Sequence, residues 1–285
     1  MAIGIFDSGS GGLTVMRALD RVLPTHDLVY LGDHANAPYG DRAAGDIYAL
    51  TVQGVQRLFE ANCRLVILAC NTAAAHGLRR LQRNWLPRAH PHHRVLGVIV
   101  PVVEEVTGVP WVADAAPVPR PPAAAQVAVA VFATRHTVES GAFAGEIHKR
   151  AAHVDVWQQA CPDLVPLIEA DAPEPVLRAA VKAYVGQLAG QMHGRLPDVC
   201  ILGCTHYPLI EPLFRAALPA TTRILSQPEV TARSLLAYLE RHPDFAATGS
   251  GRRVFLTTGD PVRAGQVATR FYGRPVAFQA LDDHR

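Results

Sequence analysis

Short apolar runs that stop abruptly at a polar cluster, each followed by a stretch of helical period, recur along the chain. Few folds accept that pattern. "AIGIF" leads into a Gly-rich turn and "GLTVMRALDRVL"; "DLVYLGD" into a loop and "AGDIYALTVQGVQRLFEA"; "RLVILAC" into "NTAAAHGLRRLQRNW"; "RVLGVIV" into "PVVEEVTG". A second set opens at "QVAVAVFAT" and "HTVESGAFAGEIHKRA" and continues through "VDVWQQA", the helix "EPVLRAAVKAYVGQLAGQM" and "VCILGC". "RILSQ", "TARSLLAYLERH" and "RRVFLTTGD" close it. Alternation of this kind is the mark of α/β architecture with mainly parallel sheets flanked by helices. At 285 residues there is room for one large domain or two smaller ones.

The two halves echo each other. "LVILACNTAA" (65–74) and "VCILGCTHYP" (199–208) are both apolar strands ending in a cysteine beside hydroxyl or amide side chains. "GIFDSGSGG" (4–12) and "AVFATRHTVESG" (130–141) both set small polar residues where the first strand of a half ends. Two similar domains facing one another are expected, each offering one cysteine to a shared cleft that holds the active site. The first would comprise 1–96 and 209–285, the C-terminal segment returning to it, and the second 97–208. The Pro- and Ala-rich stretch "DAAPVPRPPAAAQ" (114–126) reads as an irregular surface loop between the sets. "AHPHHR" (89–94) reads as a solvated loop before a strand, since its histidines lack ligand spacing with other groups.

Composition removes several function classes. With 49% hydrophobic and 18% charged residues the chain is of globular type, and its net charge of +2 offers no basic field for nucleic acid. The start, "MAIGIFDSGSGG", lacks a signal peptide's features, and "VLGVIVPVVEEV" is cut by Pro101 and two glutamates, so no membrane span is expected. Cys63, Cys70, Cys161, Cys200 and Cys204 are odd in number and irregular in spacing. They do not form a disulfide framework, which points to a reducing, cytoplasmic setting. Cys63, Cys161 and Cys200 read most simply as structural, with Cys161 also able to line the cleft.

Ligands of open parallel sheets bind outside the carboxyl ends of the strands. Asp7-Ser8, Asp33, Cys70-Asn71-Thr72, Thr134 and Cys204-Thr205-His206 all lie at such ends. Helix N-termini there favour carboxylates or phosphates, and Ser8, Asn71, Thr72, Thr134, Thr137 and Thr205 add neutral donors. A small anionic ligand is expected. "FDSGSGG" lacks the spacing of a dinucleotide fingerprint or a P-loop. A Cys204–His206 nucleophile and base would leave Cys70 idle, and zinc on Cys70, Cys204 and His206 is conceivable. Pyridoxal phosphate needs a Schiff-base lysine, and neither Lys149 nor Lys182 follows a strand end. Two cysteines on opposite sides of a flat intermediate fit best, one removing a proton from carbon as thiolate, the other returning one as thiol. Racemisation by two bases employs both thiols and needs no cofactor and no metal.

The motifs "GIFDSGSGGLTV" (4–15), "GDHANAPYG" (32–40), "CNTA" (70–73), "CPDLVPLIE" (161–169), "LGCTHYPLI" (202–210) and "TTGDP" (257–261) span nearly the whole chain. On them the sequence resembles the glutamate racemases of the cofactor-independent aspartate/glutamate racemase superfamily. The resemblance implies interconversion of L- and D-glutamate, supplying D-glutamate for peptidoglycan and so for cell-wall biogenesis and cell shape. It implies Cys70 acting on the D-enantiomer's proton and Cys204 on the L-enantiomer's, with Asp7 the helper of Cys70 and His206 that of Cys204. Glu169 matches a carboxylate near His206, and Asp33 a second one on the other side. Asp7, Ser8, Pro38, Tyr39, Gly40, Asn71, Thr72, Thr134, Thr137, Thr205 and His206 match substrate-binding positions. The implied partner is the small-molecule substrate, with no nucleic acid or membrane, in a homodimer. Ser226-Gln227-Pro228 departs from the Asp-Ser-Gly-like triplet usual there, and the 114–126 segment is longer than usual. The alternatives are a related racemase or decarboxylase of another small acid such as aspartate, a non-catalytic acidic amino-acid binding protein, and a metal-dependent hydrolase.

Overall fold

The computed structural model describes residues 1–110, 126–246 and 248–281. The strands are β1 (Ala2–Asp7), β2 (Asp27–Gly32), β3 (Cys63–Leu68), β4 (Arg94–Gly97), β5 (Val127–Ala133), β6 (Val154–Ala160), β7 (Val199–Gly203), β8 (Arg223–Ser226), β9 (Arg253–Thr257) and β10 (Gln279–Ala280). Every pairing among the described residues is parallel. The chain divides into two compact units, Met1–Val98 with Thr231–Arg285, and Ile99–Val230. The first holds a six-stranded sheet ordered β10-β9-β2-β1-β3-β4, the second a four-stranded sheet ordered β6-β5-β7-β8.

The central strands are apolar throughout because helices cover them: Ile3, Ile5 and Phe6 of β1 and Val129, Val131 and Phe132 of β5 are all buried. The helix Ala44–Glu60 packs on β1, β2 and β3, and Leu13–Val22 packs on β2 and on the helix Pro261–Tyr272. Contact with β1 is closest at Gly54, where a Cβ would lie 2.0 Å from a ring carbon of the buried Phe6.

Topology places the polar strand ends. In the first unit the connection from β1 leads to β2 on one side, while that from β3 leads to β4 on the other. In the second, β5 leads to β6 and β7 to β8 in the same manner, so β2-β1-β3-β4 and β6-β5-β7-β8 are the same arrangement. Where neighbouring parallel strands send their connections opposite ways, a crevice opens at their carboxyl ends. Asp7 and Cys70 flank one such crevice, Thr134 and Cys204 the other. The echo between the halves is therefore an echo of topology.

Several expectations move. The return to the first unit falls at 231 instead of 209, because β8 continues the second sheet, pairing with β7 from Val199↔Arg223 to Leu202↔Ser226. "RVLGVIV" is strand only to Gly97; from Ile99 to Thr107 it is helical, and Pro101 sits in the first turn, where its missing N–H costs nothing. Gln227 and Pro228 likewise open the helix Gln227–Arg241 directly after β8. "AHPHHR" is not simply solvated: the His90 and His93 rings pack on Phe59 at 4.8 and 4.4 Å between centroids, with Trp85 against His90. The loop expected at 114–126 lies, apart from the exposed Gln126, outside the described residues. Among the described residues no helix is long and apolar enough to cross a membrane.

Gly54→Ala should cost about 1–3 kcal/mol, because the buried Phe6 ring has nowhere to move without disturbing β1. A lowered midpoint in thermal unfolding is the expected result. An unchanged midpoint would contradict the close helix-to-strand contact.

Candidate active site

Cys70 lies just beyond β3, at the entry to a helical stretch that runs from Asn71 to Ala89, with wide π-type turns at Ala74–Leu78 and Leu81–Trp85. Its Sγ caps that stretch, accepting from the Ala73 N–H at 3.4 Å, and lies 3.5 Å from Ser8 Oγ. Asp7 ends β1 and is buried; its Oδ1 accepts from the Gly9 N–H at 2.8 Å, fixing the Gly-rich turn. At Gly12 a Cβ would lie 2.6 Å from that of Asp7, so the next helix can approach the carboxylate only without a side chain there. Burial, and then the Asp7 charge, push the Cys70 thiol up to about 12. Cys70 is therefore held as the thiol at neutral pH.

The same end of the sheet carries Asp33, whose backbone N–H donates to Asp7 O at 2.9 Å. Its carboxylate accepts from the Tyr39 hydroxyl at 2.6 Å, Asn36 Nδ2 at 3.0 Å and the Thr258 hydroxyl at 2.7 Å. Tyr39 is buried, and burial together with Asp33 holds its hydroxyl protonated well above the usual phenol range. Asn71 and Thr72 are buried, Ser8 and Gly40 half-buried, and Pro38 exposed.

In the second unit Cys204 follows β7, and its Sγ lies 3.8 Å from His206 Nδ1. His206 Nε2 is 2.9 Å from Oε1 of Glu169, the last residue of the helix Leu164–Glu169. Burial alone would lower the His206 pKa, but hydrogen bonds and charge from Cys204 and Glu169 outweigh it and raise it to about 10. An imidazolium therefore stands beside Cys204 at neutral pH, both ring nitrogens donating. Thr134 caps the turn after β5, its Oγ1 accepting from the Thr137 N–H at 3.4 Å and lying 3.0 Å from Thr137 Oγ1. Register sets Ala133 opposite Gly203, so Thr134 and Cys204 leave adjacent strand ends. Thr205 is buried.

The expected site residues thus gather into two clusters, one per unit: Asp7, Ser8, Asp33, Tyr39 and Cys70 around the first crevice, and Thr134, Thr137, Glu169, Cys204 and His206 around the second. Each pairs a buried thiol with a titratable helper, the equipment for proton transfer. Cys161 is fully buried, its S–H directed at Gln159 O at 3.6 Å, while the Tyr207 hydroxyl donates to its carbonyl at 3.3 Å. Cys63 and Cys200 are buried in the strands themselves. Sequence reasoning assigned no role to His34 or to Thr257 and Thr258. His34 joins Ser10 Oγ at 2.9 Å to Thr257 Oγ1 at 2.9 Å, and Thr258 reaches Asp33. The available signals were the histidine of "GDHANAPYG" and the paired threonines of "TTGDP".

The family described as Asp/Glu/Hydantoin racemase matches residues 3–235. A glutamate racemase of Phenylobacterium zucineum is 46% identical over 283 residues, covering 98% of this chain and 99% of that protein. One of Roseobacter denitrificans is 49% identical over 280 residues, covering 98% and 100%. Among solved structures, a glutamate racemase isoform from Bacillus anthracis has a TM-score of 0.83 at 29% identity, covering 99% of this chain and 97% of that one. The enzyme from Francisella tularensis, solved in complex with D-glutamate, has a TM-score of 0.81 at 27% identity, covering 99% and 98%. The family match contains both cysteine clusters, and the relatives run nearly end to end with this chain: it belongs to the Asp/Glu/Hydantoin racemase family.

Proposed function

We propose that this protein is an isomerase that interconverts L- and D-glutamate by proton transfer at the α-carbon, with Cys70 and Cys204 as opposed acid and base. The observation that carries this reading is a buried thiol with its own helper after the topologically equivalent strands β3 and β7. Relatives of nearly full coverage bear the name glutamate racemase, and a structural neighbour was solved with D-glutamate; both support the choice of substrate.

From L-glutamate, Cys204 as thiolate takes the α-proton: the C–H bond breaks, an S–H bond forms, and the electron pair delocalises toward the α-carboxylate. The Cys70 S–H then breaks and a C–H bond forms on the opposite face, leaving D-glutamate. The reverse reaction exchanges the two roles. The protonated Cys70 and the imidazolium beside Cys204 suit the first direction: a proton waits on one side and a counter-charge for thiolate on the other. Glu169 holds that imidazolium, Asp7 is the helper of Cys70, and Asp33 with Tyr39 forms the wall beside it. Ser8, Asn71, Thr72, Thr134, Thr137 and Thr205, with the backbone of Pro38-Tyr39-Gly40, bind the carboxylates and the amine. The mechanism requires both thiols to reach one α-carbon. No cofactor or metal enters this chemistry. The D-glutamate serves peptidoglycan synthesis, and a cytoplasmic homodimer goes with the proposal on the strength of the family resemblance.

Dialysed protein treated with EDTA and hydroxylamine should bring the circular dichroism of L-glutamate to zero, and leave that of L-aspartate unchanged. Cys70→Ala and Cys204→Ala should each lose the activity. Restoration by pyridoxal phosphate or zinc, or racemisation by either Ala variant near the wild-type rate, would sink the two-thiol mechanism.

The raised pKa of His206 sets a pH dependence. A group whose pKa is higher folded than unfolded adds stability that is complete below its unfolded value, about 6.5, and is lost as pH rises through the folded value, about 10. Glu169→Gln removes one of the two groups that raise it, so the His206 ring titration followed by NMR should move down. The stability deficit of this variant should be largest near the lower end of that window and vanish above the upper end. A deficit independent of pH would contradict the Glu169–His206 pair.

A further inference from the structure

The turn after β9 makes contacts that neither the strand-end chemistry nor the family match, which ends at residue 235, accounts for. Thr258 Oγ1 donates to Asp33 Oδ1 at 2.7 Å and accepts from the Ala35 N–H at 3.1 Å. Next to it, Thr257 Oγ1 accepts from the Gly259 N–H at 3.0 Å and lies 2.9 Å from His34 Nδ1. Two adjacent hydroxyls, more than two hundred residues along the chain, thus clasp the segment that follows β2.

That segment stands beside Cys70. Asp33 is bonded through its backbone to Asp7, and its other carboxylate oxygen holds the Tyr39 hydroxyl at 2.6 Å. Tyr39 is near enough to Cys70 and Asp7 for their charges to act on its hydroxyl, and the turn Tyr39–Asp41 packs against Asn71–Ala73, which Cys70 caps. Asn36 Nδ2 is the third donor to Asp33. It lies on the same connecting segment as Tyr39, in the turn His34–Asn36, whereas Thr258 follows directly on a strand paired with β2 from Leu28↔Arg253 to Gly32↔Thr257. Thr258 is the donor that ties the carboxylate to the sheet.

We propose, resting on the function given above, that Thr258 is a positioning residue for proton transfer at Cys70: its hydroxyl fixes Asp33, which fixes Tyr39 and with it the wall of the Cys70 half of the site. The action is one-sided, since nothing in this chain of contacts includes a residue of the second unit. An equilibrium constant of one between enantiomers obliges any variant to lose kcat/KM equally in the two directions. The sidedness is therefore read from isotope effects and not from the rates.

The test begins with racemisation of glutamate by the wild type. If there is none, the proposed function falls, and this inference with it. Given activity, Thr258→Val should lower kcat/KM by about tenfold, the worth of a hydrogen bond to a charged group, and Thr258→Ser should recover it to within about twofold of wild type on the same basis. The isotope effect on kcat/KM should rise with α-deuterated D-glutamate, whose proton Cys70 removes, and fall with α-deuterated L-glutamate. Tyr39→Phe combined with Thr258→Val should lose less than the product of the separate losses, since both act through Asp33. Thermal unfolding establishes that each variant folds, and Thr258→Ala takes the place of Thr258→Val if the latter does not. Wild-type kcat/KM in the variant, no recovery by Ser, or a loss that leaves both isotope effects unchanged would each overturn the assignment.

Discussion

Neighbouring parallel strands whose connections leave in opposite directions cannot both be roofed by their own helices, and the gap at their carboxyl ends must be filled by whatever the chain places there. In this protein the gap occurs twice, between β1 and β3 and between β5 and β7, and each time a cysteine follows the second strand of the pair. The rest of the chemistry depends on that constraint. It brings Asp7 and Cys70 together although 63 positions separate them in number, and it sets Thr134 beside Cys204 through the pairing of Ala133 with Gly203.

The two clusters use the same residue type in different electrostatic settings. Cys70 is buried beside a carboxylate, and both burial and that charge favour the thiol. Cys204 is buried beside an imidazole whose pKa is raised by hydrogen bonds and charge from Cys204 and Glu169. A reaction that must give a proton on one face and take one on the other is served by this difference, since the two thiols need opposite protonation states at the moment substrate binds. The difference comes from the helpers. His206 lies two positions beyond its cysteine, in the same strand-end loop, whereas Asp7 reaches Cys70 across a strand pair.

Much of this was legible in the residue order, for physical reasons. Strands buried on both faces must be apolar throughout, so the sudden polarity of Asp7-Ser8 or Cys204-Thr205-His206 marks a strand end with little ambiguity. Asp33 was visible at a strand end, whereas Glu169 rested on motif resemblance alone, and contacts now give them partners in Tyr39 with Thr258 and in His206. Contacts between distant segments could not be read. The Thr258 hydroxyl meets Asp33 across 225 positions, and nothing local in "TTGDP" points to that partner. His90 and His93 looked solvated because Phe59, on which they pack, belongs to the helix Ala44–Glu60, on the far side of β3 in the chain. The return to the first unit was placed too early because "RILSQ" reads as a strand of either sheet, and only pairing with β7 decides the matter.

The division of labour between the two thiols is tested most directly by solvent deuterium. L-glutamate turned over in D₂O to small conversion should give D-glutamate carrying deuterium at the α-carbon, because the Cys70 thiol has exchanged with solvent, while the recovered L-glutamate keeps its α-proton. Deuterium entering recovered L-glutamate as fast as product forms, or D-glutamate that retains the original proton, would mean that one group serves both faces, and would contradict the two-thiol mechanism.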